Sequence, residues 1–294
     1  MNYGSHPAIK ILGAITSIAS VRAENPARHV QWFRGYESTV VYRVICVALI
    51  QEITGAYMQQ VFITGASSDI GIATCKKYIA EGFRVVGHFN NGQKSFFDLV
   101  DTSPNMQSLH IDLSSSNAVE KAFAENKDLL QQTDVLINMA AIFQAKPFSD
   151  IVAADIIEAM NVNLISALLL TRSITPEMVR RQWGRIVNIS SIGIKFGGGS
   201  NSFCYALSKH ALEFLPSDHK CWAANNVFVN TLRVGVTDTK FHENNPTKNM
   251  ASRVEMIPAK RMASPDEIAN AIYGYGSDQN TFTTGQVISV SGGE

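Results

Sequence analysis

The run Val61-Phe-Ile63 opens onto Thr64-Gly-Ala-Ser-Ser-Asp-Ile-Gly71, and apolar residues then recur at helical spacing from Ile70 to Ala80. A short apolar strand that ends at a glycine and turns straight into a helix commits the chain to crossing back over a sheet. The pattern repeats. Strands are expected at Arg84 to Phe89, Leu109 to Ile111, Val135 to Met139, Arg185 to Ile189, Asn226 to Leu232 and Gln286 to Val290. Helical stretches are expected at Lys94 to Val100 and Ala118 to Leu130, with two more between Ile151 and Arg181. Strands and helices alternating at this length predict an α/β fold, a doubly wound parallel sheet covered on both faces by right-handed crossovers.

On this scaffold the chain carries Tyr205-Ala-Leu-Ser-Lys209. A four-residue step on a helix puts phenol and ammonium on one face, where the cation is expected to lower the phenol's pKa. Tyr205 then becomes a proton donor and acceptor near neutral pH. Tyr and Lys at this spacing also occur on many solvated helix faces, so order decides the matter. The glycine turn, Ile137-Asn-Met-Ala-Ala141, Asn163, Asn188-Ile-Ser-Ser191, Tyr205 and Lys209 follow one another in a series that no common structural motif requires. Pro216 falls where the helix bearing Tyr205 should continue, and the helix is expected to kink or stop near Leu215.

In this series the chain resembles the short-chain dehydrogenase/reductase family, in the branch of the 3-oxoacyl-carrier-protein reductases, from about Met58 to Glu294. Arg261-Met-Ala-Ser-Pro-Asp-Glu-Ile268 and Thr284-Gly-Gln-Val-Ile288 look like the family's closing segments. The resemblance implies a single Rossmann-fold domain over residues 58–294 and hydride transfer between a nicotinamide and a carbonyl or secondary alcohol. It assigns Tyr205 as proton donor, Lys209 to the phenol and the nicotinamide ribose, Ser191 to the substrate oxygen and Asn163 to a proton relay. Strand alternation alone does not choose between Ser190 and Ser191; the family alignment selects Ser191. The spacing from Ser191 to Tyr205 is fourteen, one longer than usual, with Gly197-Gly-Gly199 in between.

For the cofactor, the resemblance implies contacts from Gly65, Ser67, Ser68, Asp69, Ile70 and Gly71 in the turn. Asn90, Asp112, Leu113, Asn138 and Ala140 follow on the adenosine side, and Tyr205, Lys209, Gly235, Val236 and Thr239 on the nicotinamide side. Asp69 stands where the family has a third glycine, so its carboxylate must turn away from the pyrophosphate. Met139 and Ala141 replace the usual Asn and Gly, and Val234 replaces a proline. The segment Gly87-His-Phe-Asn-Asn-Gly-Gln-Lys94 holds no acid to repel a 2′-phosphate. NADP(H) is therefore expected over NAD(H), with Asn90 near the phosphate and Lys94 within reach.

Lys+Arg and Asp+Glu both total 25, which gives no electrostatic pull toward nucleic acid or a membrane surface and favours a small-molecule substrate. The candidates are a 3-oxoacyl thioester, a sugar-like ketone or alcohol, and a steroid-sized alcohol; the lid expected at 240–258, with His242, Glu243, Asn244, Asn245 and Lys248, leans toward a hydroxylated one. Four separated cysteines, Cys46, Cys75, Cys204 and Cys221, have neither metal-ligand spacing nor a disulfide framework and suit a cytoplasmic protein. The resemblance also implies a homodimer or homotetramer, since the family pairs the helices around Val162 to Arg181 and Tyr205 to Leu215 across two-fold axes. A non-catalytic cofactor sensor on the same fold is the alternative, set against four filled catalytic positions. A sugar-nucleotide epimerase is disfavoured by the roughly 55 residues after Thr239. Residues 1–57 match none of the family pattern. This N-terminal extension has three readings, an organelle-targeting segment, an added structural arm, or sequence upstream of a true start at Met58; the last is favoured, and finding Met1 on the native N-terminal peptide would overturn it.

Overall fold

The structure is a computed structural model that describes residues 57–240 and 249–294. Except for Tyr57, the proposed N-terminal extension lies outside the described residues, as do the lid residues His242, Glu243, Asn244, Asn245 and Lys248.

Seven parallel strands form one sheet: β1 (Gln60–Ile63), β2 (Arg84–Phe89), β3 (Met106–His110), β4 (Thr133–Asn138), β5 (Gly184–Ser191), β6 (Val227–Val234) and β7 (Val287–Val290), in the order β3-β2-β1-β4-β5-β6-β7. The order reverses between β1 and β4, and the carboxyl ends of strands on either side of such a reversal leave a crevice for ligand. The inner strands are covered on both faces. Val61 and Ile63 of β1, Val135 and Ile137 of β4, and Val187 and Ile189 of β5 feed one core, which is completed by α1 (Asp69–Ala80) and α10 (Pro265–Tyr275). The alternate residues Phe62, Leu136 and Ile186 feed the other core, against α3 (Ser116–Glu125) and the long helix α6 (Ser166–Arg181). Period-two alternation through strands apolar on both faces is what a doubly covered parallel sheet requires.

Among the described residues the remaining helices are α2 (Lys94–Thr102), α4 (Lys127–Leu130), α5 (Ala153–Met160), α7 (Phe203–Ala211), α8 (His219–Ala223) and α9 (Met250–Glu255). Helical structure runs without a break from Ala153 to Arg181, long and apolar enough by length and composition to cross a membrane. Leu170, Ile174 and Met178 are nevertheless buried against the sheet, so this is a core helix.

Several boundaries differ from the sequence expectation. β3 begins at Met106, not Leu109, because pairing of Val85 with Met106 carries polar, exposed Gln107 and Ser108 into an edge strand. β4 runs from Thr133 to Asn138, and Met139 lies beyond it. β6 starts at Val227, since Asn226 sits at φ 56 in the left-handed region, which a strand cannot hold. The helix expected from Ala118 to Leu130 is two pieces joined at Asn126. α7 stops at Ala211, a turn earlier than Leu215.

Candidate active site

α1 is launched by a turn that glycine makes possible. Gly65 sits at φ 70, and a Cβ there would lie 2.9 Å from Ala140 Cα; one on Gly71 would lie 2.4 Å from the Gly65 carbonyl oxygen. Ser68 caps the helix: its Oγ accepts from Gly71 N at 3.1 Å and donates to the Gly65 carbonyl at 2.9 Å. Thr64 ties the turn to β4, its Oγ1 accepting from Met139 N at 2.9 Å and from Ala140 N at 3.1 Å. The first amides of α1 therefore face the crevice with the positive end of the helix dipole, an arrangement that receives phosphate.

A cavity of about 650 Å³ runs along the carboxyl ends of the strands, and it has the size of a cofactor site. Gly65, Ser67, Ser68, Asp69, Ile70, Asn90, Asp112, Leu113 and Ala140 line one part of it; Ser191, Tyr205, Gly235, Val236 and Thr239 line the rest. Gly71, Asn138, Asn163 and Lys209 stand behind the wall. With its tight turn, open helix start and absence of a carboxylate after β2, the cavity fits a nicotinamide dinucleotide.

At the chemical end, Ser191 and Tyr205 share the cavity wall, with Ser191 near enough to lower the phenol's pKa; Ser191 Oγ itself accepts from Gly193 N at 3.2 Å. The Phe143 ring meets the Tyr205 ring edge-on at 5.5 Å between centroids. Lys209 is fully buried; its Nζ donates to the Ile189 carbonyl at 2.7 Å and lies 6.0 Å from the centre of the Tyr205 ring. The expected lowering of the phenol's pKa by this cation is not present here. Desolvation pushes the Tyr205 phenol up, with only Ser191 opposing it, and burial brings Lys209 down to about 7. An amine near half-protonation at neutral pH, held against a carbonyl, is a weak source of positive field for its neighbour.

Asn163 sits in a π-helical turn, Asn161–Ile165, between α5 and α6. Its Oδ1 accepts from Ile142 N at 2.8 Å, and its Nδ2 donates to the Ile142 carbonyl and to Ser208 Oγ at 2.9 Å. Asn163 thereby braces the cavity wall to the helix that carries Tyr205. Ser190, the other serine of the pair, donates to Glu213 at 2.8 Å and to the Lys209 carbonyl at 3.2 Å, pinning α7 to β5. Asn138 donates to Asn188 at 2.9 Å and to Thr171, while its own buried Oδ1 is unpartnered.

The Asp69 carboxylate does turn aside, accepting from Lys240 N at 2.8 Å. The Lys240 side chain reaches Gln93 at 2.9 Å, and Gln93 donates to the Ser67 carbonyl at 3.0 Å, so a chain of contacts bridges the crevice mouth. Lys94, expected within reach of a 2′-phosphate, instead pairs with Asp98 at 2.7 Å in solvent; Lys240 is the lysine on the cavity wall.

Sequence reasoning missed His88. Its Nδ1 accepts from Gly65 N at 3.0 Å, which leaves the proton on Nε2 to be donated to the Ile111 carbonyl at 3.0 Å. The ring spans from the β1 turn to the end of β3, and only its polarity within an apolar strand hinted at this. Burial, with His110 adding to it, brings His88 down to about 4. The folded protein therefore binds fewer protons than the unfolded chain between the ordinary value of 6.5 and about 4. Stability is expected to fall as pH drops through that window and to level off below it. Melting temperatures from pH 7 to pH 4 read the effect, which should shrink in His88→Gln; an unchanged slope in that variant contradicts the assignment.

Among the described residues no cluster of His, Cys, Asp and Glu is arranged to hold a metal ion. The profile of the enoyl-(acyl carrier protein) reductase family matches residues 65–294. The 3-oxoacyl-(acyl-carrier-protein) reductase FabG of Aquifex aeolicus (strain VF5) is 31% identical over 236 residues, 79% of this chain and 95% of that protein. The crystal structure of a 3-oxoacyl (acyl-carrier-protein) reductase from Agrobacterium tumefaciens C58 with NADP bound is similar at a TM-score of 0.72 and 26% identity, covering 80% of this chain and 94% of that one. A 4-hydroxyisoleucine dehydrogenase complexed with NADH gives a TM-score of 0.72 and 27% identity, with 80% and 98% covered. The expectation drawn from the glycine turn and the serine, tyrosine and lysine series is thus met at the level of family and fold. This chain belongs to the short-chain dehydrogenase/reductase family, on its 3-oxoacyl-carrier-protein-reductase-like side, and is an oxidoreductase of carbonyl and alcohol groups.

Proposed function

We propose that the chain is an NADP(H)-linked carbonyl reductase or alcohol dehydrogenase in which Tyr205 exchanges the proton of the reacting oxygen. The supporting observation is the placement of Ser191 and Tyr205 together on the wall of a cavity that also contains the open start of α1. A bound nicotinamide supplies or accepts the hydride. Ser191 then holds the carbonyl oxygen on which charge develops, and Tyr205 delivers its proton there. Lys209 lies behind the phenol and shares protons readily, since its amine titrates at about 7. Asn163 keeps the π-turn and α7 in register.

The absence of an acid after β2, with Asn90, Gln93 and Lys240 on the cavity wall, supports the 2′-phosphorylated cofactor. The test is oxidation of NADPH and NADH by purified protein against ketones, ketoses and acyl thioesters. NADPH is expected to give a kcat/KM higher by more than about tenfold, the worth of one good charged contact; equal or better use of NADH contradicts this preference.

Residues 58–294 are proposed to act as one domain. Exposed Ile157, Leu168 and Leu207 on α5, α6 and α7 support pairing of these helices in a homodimer or homotetramer, which light scattering on the same preparation reads. Cys75, Cys204 and Cys221 are free thiols, which suits a reducing cytoplasmic setting.

A further inference from the structure

A dinucleotide brings several negative charges, and the cavity wall already holds the carboxylates of Asp69 and Asp112. A phosphate seated among them needs a cation to offset the repulsion. Among the described residues, Lys240 and Arg253 are the lysine and the arginine that line this cavity. Arg253 is taken, its Nη2 pairing with Glu294 Oε1 at 2.5 Å. The Lys240 ammonium instead donates to a neutral oxygen, Gln93 Oε1, at 2.9 Å, and so keeps its charge for a ligand.

Gln93 says where that charge sits. Its Nε2 donates to the Ser67 carbonyl at 3.0 Å, which fixes the amide with its oxygen toward Lys240. The ammonium is therefore held between the turn before α1 and the residues leaving β2, where Asn90 and Asn91 line the same cavity. Dinucleotide folds read the adenosine ribose at this place, by an acid for a free 2′-hydroxyl or by a cation for a 2′-phosphate. Here the cation arrives from the far half of the sheet, just past β6 and 147 positions after Gln93.

A lysine side chain loses rotamer freedom when a ligand pins it, and a main chain already fixed leaves less to be ordered. Asp69 supplies that fixing. Its Oδ2 accepts from Lys240 N at 2.8 Å, a backbone contact that holds the residue without consuming the ammonium. Resting on the NADP(H) reading above, we infer that Lys240 is the residue that selects the 2′-phosphate and that Asp69 is its positioning residue. On binding, the ammonium exchanges the Gln93 oxygen for a phosphate oxygen, a stronger bond because both partners are charged. Asp69 thus helps a phosphate to bind despite its own charge, the reverse of what repulsion alone predicts.

Binding tests this without turnover. Calorimetry on the full chain would compare adenosine 2′,5′-bisphosphate with adenosine 5′-monophosphate, which differ only in the 2′-phosphate. The bisphosphate is expected to bind more than about tenfold tighter to the wild type, the worth of one good charged contact. That ratio should collapse toward one in Lys240→Met, with the monophosphate affinity unchanged; Lys240 is exposed, so the fold is not at stake. In Asp69→Ala the ratio should fall about threefold, as the lysine loses its anchor. Asp69→Asn, whose amide oxygen still accepts from Lys240 N, is expected to restore it. A wild type without any preference defeats the NADP(H) reading itself. A preference that survives in Lys240→Met, or a loss there shared equally by both ligands, leaves that reading standing and overturns the role of Lys240. An Asp69→Ala ratio at or above wild type, or an Asp69→Asn ratio no better than that of Asp69→Ala, overturns the anchor.

Discussion

Tyr205→Phe is expected to lower kcat about a thousandfold, within the range contributed by a positioned proton donor, and to leave the cofactor affinity and the melting temperature near wild type. The substitution removes one oxygen and keeps the ring that meets Phe143 edge-on. The lost interaction belongs to the proton step, because Tyr205 lines the cavity wall together with Ser191. An interaction made mainly in the transition state depresses kcat and kcat/KM together. Single-turnover reduction with Tyr205→Phe reads this directly. A variant that turns over like wild type removes Tyr205 from the chemistry, and one that loses cofactor binding instead assigns the hydroxyl a structural role.

The second large effect is expected from Gly71→Ala. The added Cβ would sit 2.4 Å from the Gly65 carbonyl oxygen and 2.7 Å from Ala66 Cα, both backbone atoms that cannot swing aside as a side chain would. Relief requires moving α1 off the turn, which breaks the Ser68 cap and displaces the amides facing the crevice. Overpacking of this kind costs about 1–3 kcal/mol in stability, and dinucleotide affinity should fall by more than about tenfold as the phosphate cradle opens. Gly274→Ala is the matched control: it lies within α10, a Cβ there meets nothing within 4 Å, and alanine suits a helix better. Fluorescence titration with NADPH and thermal melts of the two variants separate these effects. Wild-type cofactor binding by Gly71→Ala would contradict the cradle.

The glycine turn, the two-sided apolar strands and the tyrosine-lysine step were legible in the sequence because each is a local pattern: β1, β4 and β5 are buried on both faces and alternate accordingly. β3 was misplaced because an edge strand with exposed Gln107 and Ser108 carries no such signal. Its register comes from pairing with β2. Pro216 bars α7 from running past Leu215, but its stop at Ala211, a turn earlier, carried no local signal. What stayed hidden at the site is long-range. Asp69 meets Lys240 across 171 positions, and the His88 ring joins β1 to β3. Arg253 and Glu294 come together only when the last strand passes β6. The electrostatics were hidden too, since the four-residue step placed Lys209 behind Tyr205 but could not show that burial would weaken its charge.

On the proposed mechanism, hydride passes between a nicotinamide and a carbonyl carbon in the cavity lined by Ser191 and Tyr205. NADPH deuterated at both C4 positions, given to the protein with a ketose it reduces, tests that claim by mass spectrometry of the product. One carbon-bound deuterium per alcohol formed is the expected result, with the second new hydrogen drawn from water through Tyr205. Product free of deuterium, or cofactor oxidised without any alcohol appearing, would contradict it.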